Sequence, residues 1–245
     1  TTMALRPIAL PLLLCLCACA SGPGAVDAPP VQQAAAHAAA VNLAATYAAL
    51  AQQGGQVFRM VPERSSIRAY AFRAGRGAKF GHNHVLSAPT FEGYLYLAPQ
   101  GNADSRFDLA LRLDQLVFDV PEHRAALGPA FASAISAEDT ASTRNNMLGD
   151  NNFQAARYPW LRIRSVQIVG EAPKLAAKVA INLHGQTREQ WTPLTVTGLP
   201  GEARAQGMLV IRQSDFGIKP FSVFGGILAV HDEVVVEFSL ATEPQ

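Results

Sequence analysis

From Val57 onward, apolar and polar residues alternate in short runs that turn residues separate. In two runs, four apolar side chains share one face of a strand: Phe107, Leu109, Leu111 and Leu113 in the first, and Val234, Val236, Phe238 and Leu240 in the second. A period of two places successive side chains on opposite faces, so one face is dry and the other is wet. This alternation is typical of an antiparallel sheet or barrel.

Ten runs fit this strand pattern: residues 57–61, 66–73, 85–87, 90–97, 107–118, 160–169, 175–183, 190–196, 205–213 and 233–241. Turn residues lie between several of them, as at His184-Gly185 and at 198–201. One convincing helical stretch, residues 137–148, interrupts the series. Because strands and helices do not alternate, the pattern predicts an all-β barrel with one short helical excursion.

The N-terminus carries a candidate export signal. Arg6 supplies a positive charge, and residues 7–18 form an apolar run that suits a signal sequence but is too short to span a bilayer. The run ends in Leu16-Cys17-Ala18-Cys19, which resembles a bacterial lipobox and makes Cys19 the candidate lipidated residue. Ordinary cleavage at Ala18-Cys19-Ala20 is the alternative. Both interpretations predict export, with residues 1–20 as a lipoprotein-like signal peptide region. Lipidation predicts a periplasmic protein with a membrane anchor.

Three segments follow from these patterns. After the signal peptide, residues 21–55 form a linker and an alanine-rich stretch, and residues 56–245 form the barrel domain. Residues 21–30 are rich in Gly, Pro and Ala and are typical of a tether. Residues 32–53 favour a helix by alanine content, either as a spacer helix packed on the domain or as a partly ordered leader.

Charge and cysteine usage exclude several classes of function. The formal net charge is +1, so no basic excess points to nucleic acid. All three cysteines, Cys15, Cys17 and Cys19, precede the predicted domain, which therefore cannot be a disulfide scaffold, a cysteine-ligated metal protein or a thiol enzyme. The chain also lacks the G-x-S-x-G pattern of serine hydrolases. The sequence predicts a protein that is not an enzyme.

Four features in order resemble the YceI family of exported lipid- or polyisoprenoid-binding proteins. They are a helix that ends near Phe153, then Tyr158-Pro159, then His184-Gly185-Gln186-Thr187, and then Ser214-Asp215-Phe216-Gly217 before the last strand. At Gly81-His82-Asn83-His84 the sequence carries a variant of the family's commoner pattern. The resemblance implies a lipocalin-like antiparallel barrel whose apolar interior accepts an isoprenoid or a similar chain.

Aromatic side chains are the candidate ligand contacts in such a barrel. An eight-stranded barrel is just wide enough to hold one slim ligand. Six phenylalanines are therefore candidate ligand-binding residues: Phe72, Phe80, Phe107, Phe216, Phe221 and Phe224. Two of them belong to the Pro- and Gly-containing segment 219–226, which we expect to fold over one end of the barrel because exposing Phe221 and Phe224 is costly.

The histidine pair His82 and His84 is the sharpest local motif. Positions i and i+2 of a strand face the same side, so the two imidazoles could meet one metal ion. A third ligand is required, and the sequence offers His231, Asp232, Glu92, His184 or His123 without ranking them by spacing. The alternative is a hydrogen-bonding pair at the rim of the barrel.

Three functions remain open at this point. The first is a binding protein that holds a lipid, a polyisoprenoid or a quinone. The second is a metal- or redox-linked envelope protein that uses the histidines, and the third is a stress-related structural protein with a filled barrel. A bound metal ion is a cofactor only in the second case. The sequence leaves a homodimer open and does not favour nucleic acid as a partner.

Overall fold

The computed structural model describes residues 42–245, so the predicted signal peptide and Cys19 lie outside the described residues. Three α-helices are present in this part: α1 (Leu43–Ala51), α2 (Pro121–Ala125) and α3 (Ala137–Leu148). None of these helices has the length and apolarity that crossing a bilayer requires. The described residues also form twelve strands: β1 (Gln56–Met60), β2 (Ser66–Ala74), β3 (His84–Ser87), β4 (Glu92–Leu97), β5 (Arg106–Arg112), β6 (Val117–Phe118), β7 (Trp160–Glu171), β8 (Lys174–Leu183), β9 (Gln186–Thr197), β10 (Arg204–Arg212), β11 (Ser222–Val223) and β12 (Leu228–Pro244).

Eight strands close into an antiparallel barrel, in the order β1-β4-β5-β7-β8-β9-β10-β12 within the described chain. The circuit closes where β12 pairs with β1, with Phe58 opposite Pro244 and Met60 opposite Thr242. Closure satisfies the backbone groups that an open sheet would leave at its edges. The predicted all-β antiparallel barrel is confirmed.

Strand β12 is long enough to pair with two successive strands on the same side. Its C-terminal end meets β1, and its earlier part meets β2, from Ala229 opposite Ala74 to Ser239 opposite Ser66. A 3-10 turn that begins at Pro62 separates β1 from β2, since proline cannot donate to the ladder. Strands β3 and β6 then extend the sheet beyond β2.

The prediction of one strand over residues 107–118 is wrong, because a 3-10 turn at Leu113–Gln115 divides it into β5 and β6. The ladder between β5 and β7 ends where Arg112 meets Trp160. Beyond that point the chain finds its partner on β3 instead, with Phe118 opposite Leu86. A partner change of this kind is set by the tertiary structure and leaves no mark on the alternation of apolar residues.

Strand β9 begins four residues earlier than the predicted start at Gln190. His184 and Gly185 form the two-residue turn of this hairpin, and both have positive φ, 52° and 72°. That is the geometry of a type I′ turn. Residues 186–189 are exposed, so they carry no alternation for a sequence pattern to detect.

Helix α1 packs on the outside of the barrel through residues that are not alanine. Tyr47 is completely buried, and its ring stacks on Tyr94 of β4 at 5.2 Å between centroids. Its hydroxyl donates a 2.8 Å hydrogen bond to Asp108 Oδ2 of β5. Burial, together with the Asp108 charge, raises the pKa of Tyr47. Alanines supply helix propensity in this segment, while Leu43 and Tyr47 supply the buried area that docks it.

Helix α3 has the bounds that the sequence predicts, whereas α2 is an addition. The Ser136 side chain caps α3 by accepting a 3.0 Å hydrogen bond from the Asp139 backbone N–H. Helix α2 spans five residues and starts at Pro121, a favoured first position. Five residues are too few to show a helical period, so sequence reasoning missed it.

Candidate functional site

The interior of the barrel is lined almost entirely by apolar side chains. Both runs of four residues that share a strand face, on β5 with the turn that follows and on β12, point into this interior. Side chains of β8, β9 and β10 complete the wall, among them Val179, Leu194 and Leu209. The prediction that the dry faces of the strands meet inside the barrel is confirmed.

These side chains do not fill the barrel. They leave a cavity of about 230 Å³. For comparison, an apolar cavity of roughly 150 Å³ in another protein stays dry and binds benzene. The space is therefore large enough for part of a slim apolar molecule, and its lining offers such a molecule contacts that replace water.

Five polar residues interrupt the apolar lining, and four of them already have partners. Asn102 donates to the Gly170 carbonyl at 2.8 Å, and Ser105 donates to the Gly101 carbonyl at 3.0 Å. Thr242 donates to the Ala203 carbonyl at 3.1 Å, and Gln213 donates to the His231 carbonyl at 2.9 Å. For the fifth, Thr192, the hydroxyl oxygen has no hydrogen-bond partner among residues 42–245.

Helix α3 and the turn after it cover one end of the cavity. Met147 and Phe153 contribute to its lining from this segment. Arg144 ties the helix to the barrel, because its Nη1 donates to the Leu116 carbonyl at 2.7 Å and its Nη2 donates to the Asp114 carbonyl. The helical excursion therefore serves as part of the wall of the site.

The motif residues behind the family resemblance meet beside this end. His184 at the β8–β9 turn contacts the Phe216 carbonyl through Nδ1 at 3.0 Å, and its ring lies 4.9 Å from the Tyr158 ring. A side chain at Gly185 would come within 2.8 Å of that tyrosine ring. These residues hold three chain segments together.

Of the six candidate phenylalanines, Phe107 is the one that lines the cavity. Phe216 is buried in the main core beside it, and Phe72 packs against Phe131 outside the barrel. Phe80 and Phe224 are 72% and 75% exposed, and Phe221 is also exposed.

The expectation that residues 219–226 fold over the barrel end is wrong. Residues 222 and 223 form β11, which pairs with the start of β12, and Phe224 at the hairpin tip is exposed. No residue of 219–226 lines the cavity. Hairpin pairing satisfies the backbone of this segment, and in doing so it directs Phe224 away from the core. The apolar lining comes mainly from aliphatic side chains.

The histidine pair sits outside the cavity, in a polar cluster around Asp119. His84 Nδ1 lies 2.7 Å from Asp119 Oδ2, and Arg124 Nη1 donates to Asp119 Oδ1 at 2.8 Å. The Val85 backbone N–H also donates to Asp119 Oδ1, at 3.0 Å. His82 Nδ1 lies 3.0 Å from Ser133 Oγ. We call His82, His84, Asp119, Arg124 and Ser133 the Asp119 cluster.

Charges in the Asp119 cluster are deeply buried and closely paired. The side chain of Asp119 is fully buried, and that of Arg124 is 6% exposed. Burial by itself raises the pKa of Asp119, but hydrogen bonds from His84, Val85 and Arg124 outweigh it and hold that pKa below its usual range. Arg124 also donates hydrogen bonds to the backbone carbonyls of Asn83 and Ser133. The cluster joins β3 to the segment that carries α2.

The predicted metal site is not assembled. Among residues 42–245, no three His, Cys, Asp or Glu side chains lie together so that they could hold a metal ion. His231 lies on β12, and its carbonyl accepts from Gln213. His82 and His84 have Ser133 and Asp119 as neighbours instead of a common ligand. The alternative, a hydrogen-bonding histidine pair, describes what the structure contains.

Sequence reasoning missed Thr192, Asp119 and Arg124. Thr192 occupies an inward position of β9, where the alternation 192, 194 and 196 could have marked it as a polar residue on the dry face. Asp119 and Arg124 offered no comparable signal, because their pairing depends on the turn between β6 and α2.

Comparisons with known proteins agree with this architecture. Residues 58–242 match the YceI-like domain family. Among solved structures, BcnA of Burkholderia cenocepacia is similar with a TM-score of 0.54 and 16% identity, over 74% of this chain and 98% of BcnA. The YceI protein of Campylobacter jejuni is similar with a TM-score of 0.45 and 10% identity, over 65% of this chain and 84% of that protein. No curated protein matches.

Proposed function

The chain belongs to the YceI-like domain family, and on this premise we propose that it is a binding protein whose barrel holds an apolar ligand. The main supporting observation is the cavity of about 230 Å³ with its predominantly apolar lining. A ligand chain that leaves water for such a lining gains roughly 0.8 kcal/mol for each buried CH₂ group. The ligand class is a lipid, a polyisoprenoid or a quinone, and binding requires no catalytic step.

Export and membrane anchoring are part of the same proposal. The candidate lipobox that ends at Cys19 supports a periplasmic lipoprotein with the barrel tethered beside a membrane. A membrane is the reservoir for ligands of this class, since they are scarcely soluble in water. The tether would shorten the path between that reservoir and the cavity.

Blocking the cavity tests the binding function directly. Ala69 on β2 lines the cavity and offers room for a larger side chain. We expect Ala69→Phe to weaken binding of the apolar fluorescent probe N-phenyl-1-naphthylamine by at least about tenfold, because the added ring occupies the probe's space. Fluorescence titration of the delipidated full chain measures this change.

Ala176→Phe is the matched control, because Ala176 lies on β8 at a position that does not line the cavity. It should leave probe affinity nearly unchanged. Equal affinities in Ala69→Phe, Ala176→Phe and the unmodified protein would place probe binding outside the barrel and contradict the proposal. Circular dichroism and melting curves confirm that each variant is folded before the titration.

A second experiment looks for a native ligand in the protein purified from its host. Organic extraction of the purified full chain followed by mass spectrometry should release an apolar molecule that Ala69→Phe fails to retain. Extracts of the two proteins with identical content would count against occupancy of the barrel.

A further inference from the structure

Thr192 is a buried hydroxyl in an apolar environment. It lies on β9 and lines the cavity, and 2% of its surface is exposed. Its nearest neighbours across the ladder and along the strand are Ala177 and Leu194, which offer no side-chain partner. Among the described residues 42–245, its Oγ1 makes no hydrogen bond. A buried polar group in this state destabilises the folded protein.

The strand pairing differs on the two sides of Thr192. On one side, β8 pairs with β9 along its whole length, so the backbone carbonyls there are engaged in the ladder. On the other side, the ladder between β9 and β10 runs only from Thr197 opposite Arg204 to Leu194 opposite Gly207, and it stops short of Thr192. Pro193 lies at this point and has no N–H to donate.

Thr242 provides the internal comparison. It also lines the cavity and is also buried, at 4% exposure, but its hydroxyl donates to the Ala203 carbonyl at 3.1 Å. Two threonines thus face the same apolar space, one with its hydrogen bond made inside the protein and one without. The difference identifies the Thr192 hydroxyl as the one that is free to form a hydrogen bond with a ligand.

We propose that Thr192 anchors an oxygen atom of the bound ligand, so that the barrel favours apolar molecules that bury a hydroxyl or carbonyl group over pure hydrocarbons. This inference rests on the proposed function and narrows its ligand class. Quinones, isoprenoid alcohols and lipids with an oxygen on the buried chain belong to the favoured class. A hydrocarbon fills the same space but leaves the threonine hydroxyl unpaired.

A pair of probes with the same chain tests the anchor. Farnesol and farnesene share an isoprenoid skeleton, and only farnesol carries a hydroxyl. Both compete with N-phenyl-1-naphthylamine for the delipidated full chain. We expect Thr192→Val to weaken farnesol binding by about fivefold to tenfold, the usual worth of one neutral hydrogen bond, while farnesene binding changes by less than about twofold. Thr192→Ser keeps the hydroxyl and should retain the preference for farnesol.

Thr242→Val is the matched control and should affect the two probes equally. A farnesol-specific loss in Thr242→Val, or equal losses for both probes in Thr192→Val, would overturn the anchor. Melting temperature supplies a readout without ligand: Thr192→Val should leave it unchanged or raise it, and Thr242→Val should lower it. A drop in Thr192→Val as large as that in Thr242→Val would show a hydroxyl that is already paired. Failure of both probes to bind the unmodified protein would instead overturn the proposed function itself.

Discussion

The barrel interior and the Asp119–Arg124 ion pair of the Asp119 cluster are both buried, but one is apolar and the other is charged. The interior is apolar, and it leaves about 230 Å³ of space. The Asp119 cluster lies outside the barrel and is polar, and three donors converge on its one carboxylate. The empty space of the interior can accept a ligand. Loss of one side chain from a fully paired buried ion cluster, in contrast, leaves an uncompensated charge.

The contrast shows where conspicuous sequence motifs mislead. His82 and His84 suggest chemistry, but in the structure they brace a loop against β3 through Asp119 and Ser133. The cavity is built from ordinary aliphatic residues that form no motif. In this protein the site with capacity for function is the one with the less distinctive sequence.

Removing the carboxylate of the Asp119 cluster should have the largest effect on stability. Asp119→Ala leaves the buried Arg124 guanidinium without its counter-charge, and we expect the free energy of unfolding to fall by about 3–5 kcal/mol. Urea denaturation measures the loss. Probe binding at temperatures where the variant is folded should be unchanged, because Asp119 lies outside the cavity.

Asp114→Ala is the control, since Asp114 pairs with Arg112 on the surface at 2.6 Å. That exposed pair should contribute about 0–1 kcal/mol. Similar losses of unfolding free energy in the two variants would contradict the prediction that burial makes the Asp119 ion pair more stabilising than the exposed pair.

Enlarging the cavity should have an intermediate effect. Leu111 is buried and lines the cavity, so part of its surface already faces empty space. We expect Leu111→Ala to cost about 2–3 kcal/mol, at the lower end of the range for buried leucines. Its probe affinity should change, in contrast to that of Asp119→Ala.

Leu43→Ala offers a comparison at equal burial, because Leu43 and Leu111 are both 5% exposed. Leu43 lies on α1 and packs in the cluster outside the cavity. Probe affinity should stay constant in this variant. A change in probe affinity for Leu43→Ala, together with no change for Leu111→Ala, would contradict binding of the probe inside the barrel.

Acidification should produce the smallest change in stability. Of the two regions, the Asp119 cluster should be the source of this change. Burial, followed by electrostatic interactions with His84 and Arg124, lowers the pKa of His82, while Asp139 and Asp119 oppose this shift. Below the unfolded pKa of about 6.5, the unfolded chain binds a proton that folded His82 accepts only at lower pH. Stability should therefore decrease as pH falls from 6.5 toward the folded pKa.

His82→Asn removes this titration. The variant should lose less stability than the unmodified protein between pH 7 and pH 5.5, in denaturation curves recorded across that range. Parallel pH profiles for the two proteins would assign the dependence elsewhere; His123, whose pKa burial also lowers, is the next group to substitute.

Much of the fold could be predicted because alternation reports burial on one face of a strand. The strand of Val234, Val236, Phe238 and Leu240 faces the cavity as predicted, and helix α3 has its predicted bounds. Alternation fails where a strand changes partners, as between β5 and β6, or where both faces are exposed, as at residues 186–189. Five of the six aromatic candidates do not line the cavity, for a related reason. The sequence shows that Phe224 is apolar but cannot show that it is exposed at a hairpin tip.

The sequence by itself determined the class of fold, the family and the apolar character of the interior, because each depends on residue type and local period. Tertiary structure alone decided that the interior keeps a cavity and that His84 meets Asp119. It also decided that, within residues 42–245, the Thr192 hydroxyl has no hydrogen-bond partner while the Thr242 hydroxyl has one. Those outcomes depend on which strands become neighbours and where their ladders stop. Distances across a closed barrel join residues far apart in the chain, and no local pattern encodes them.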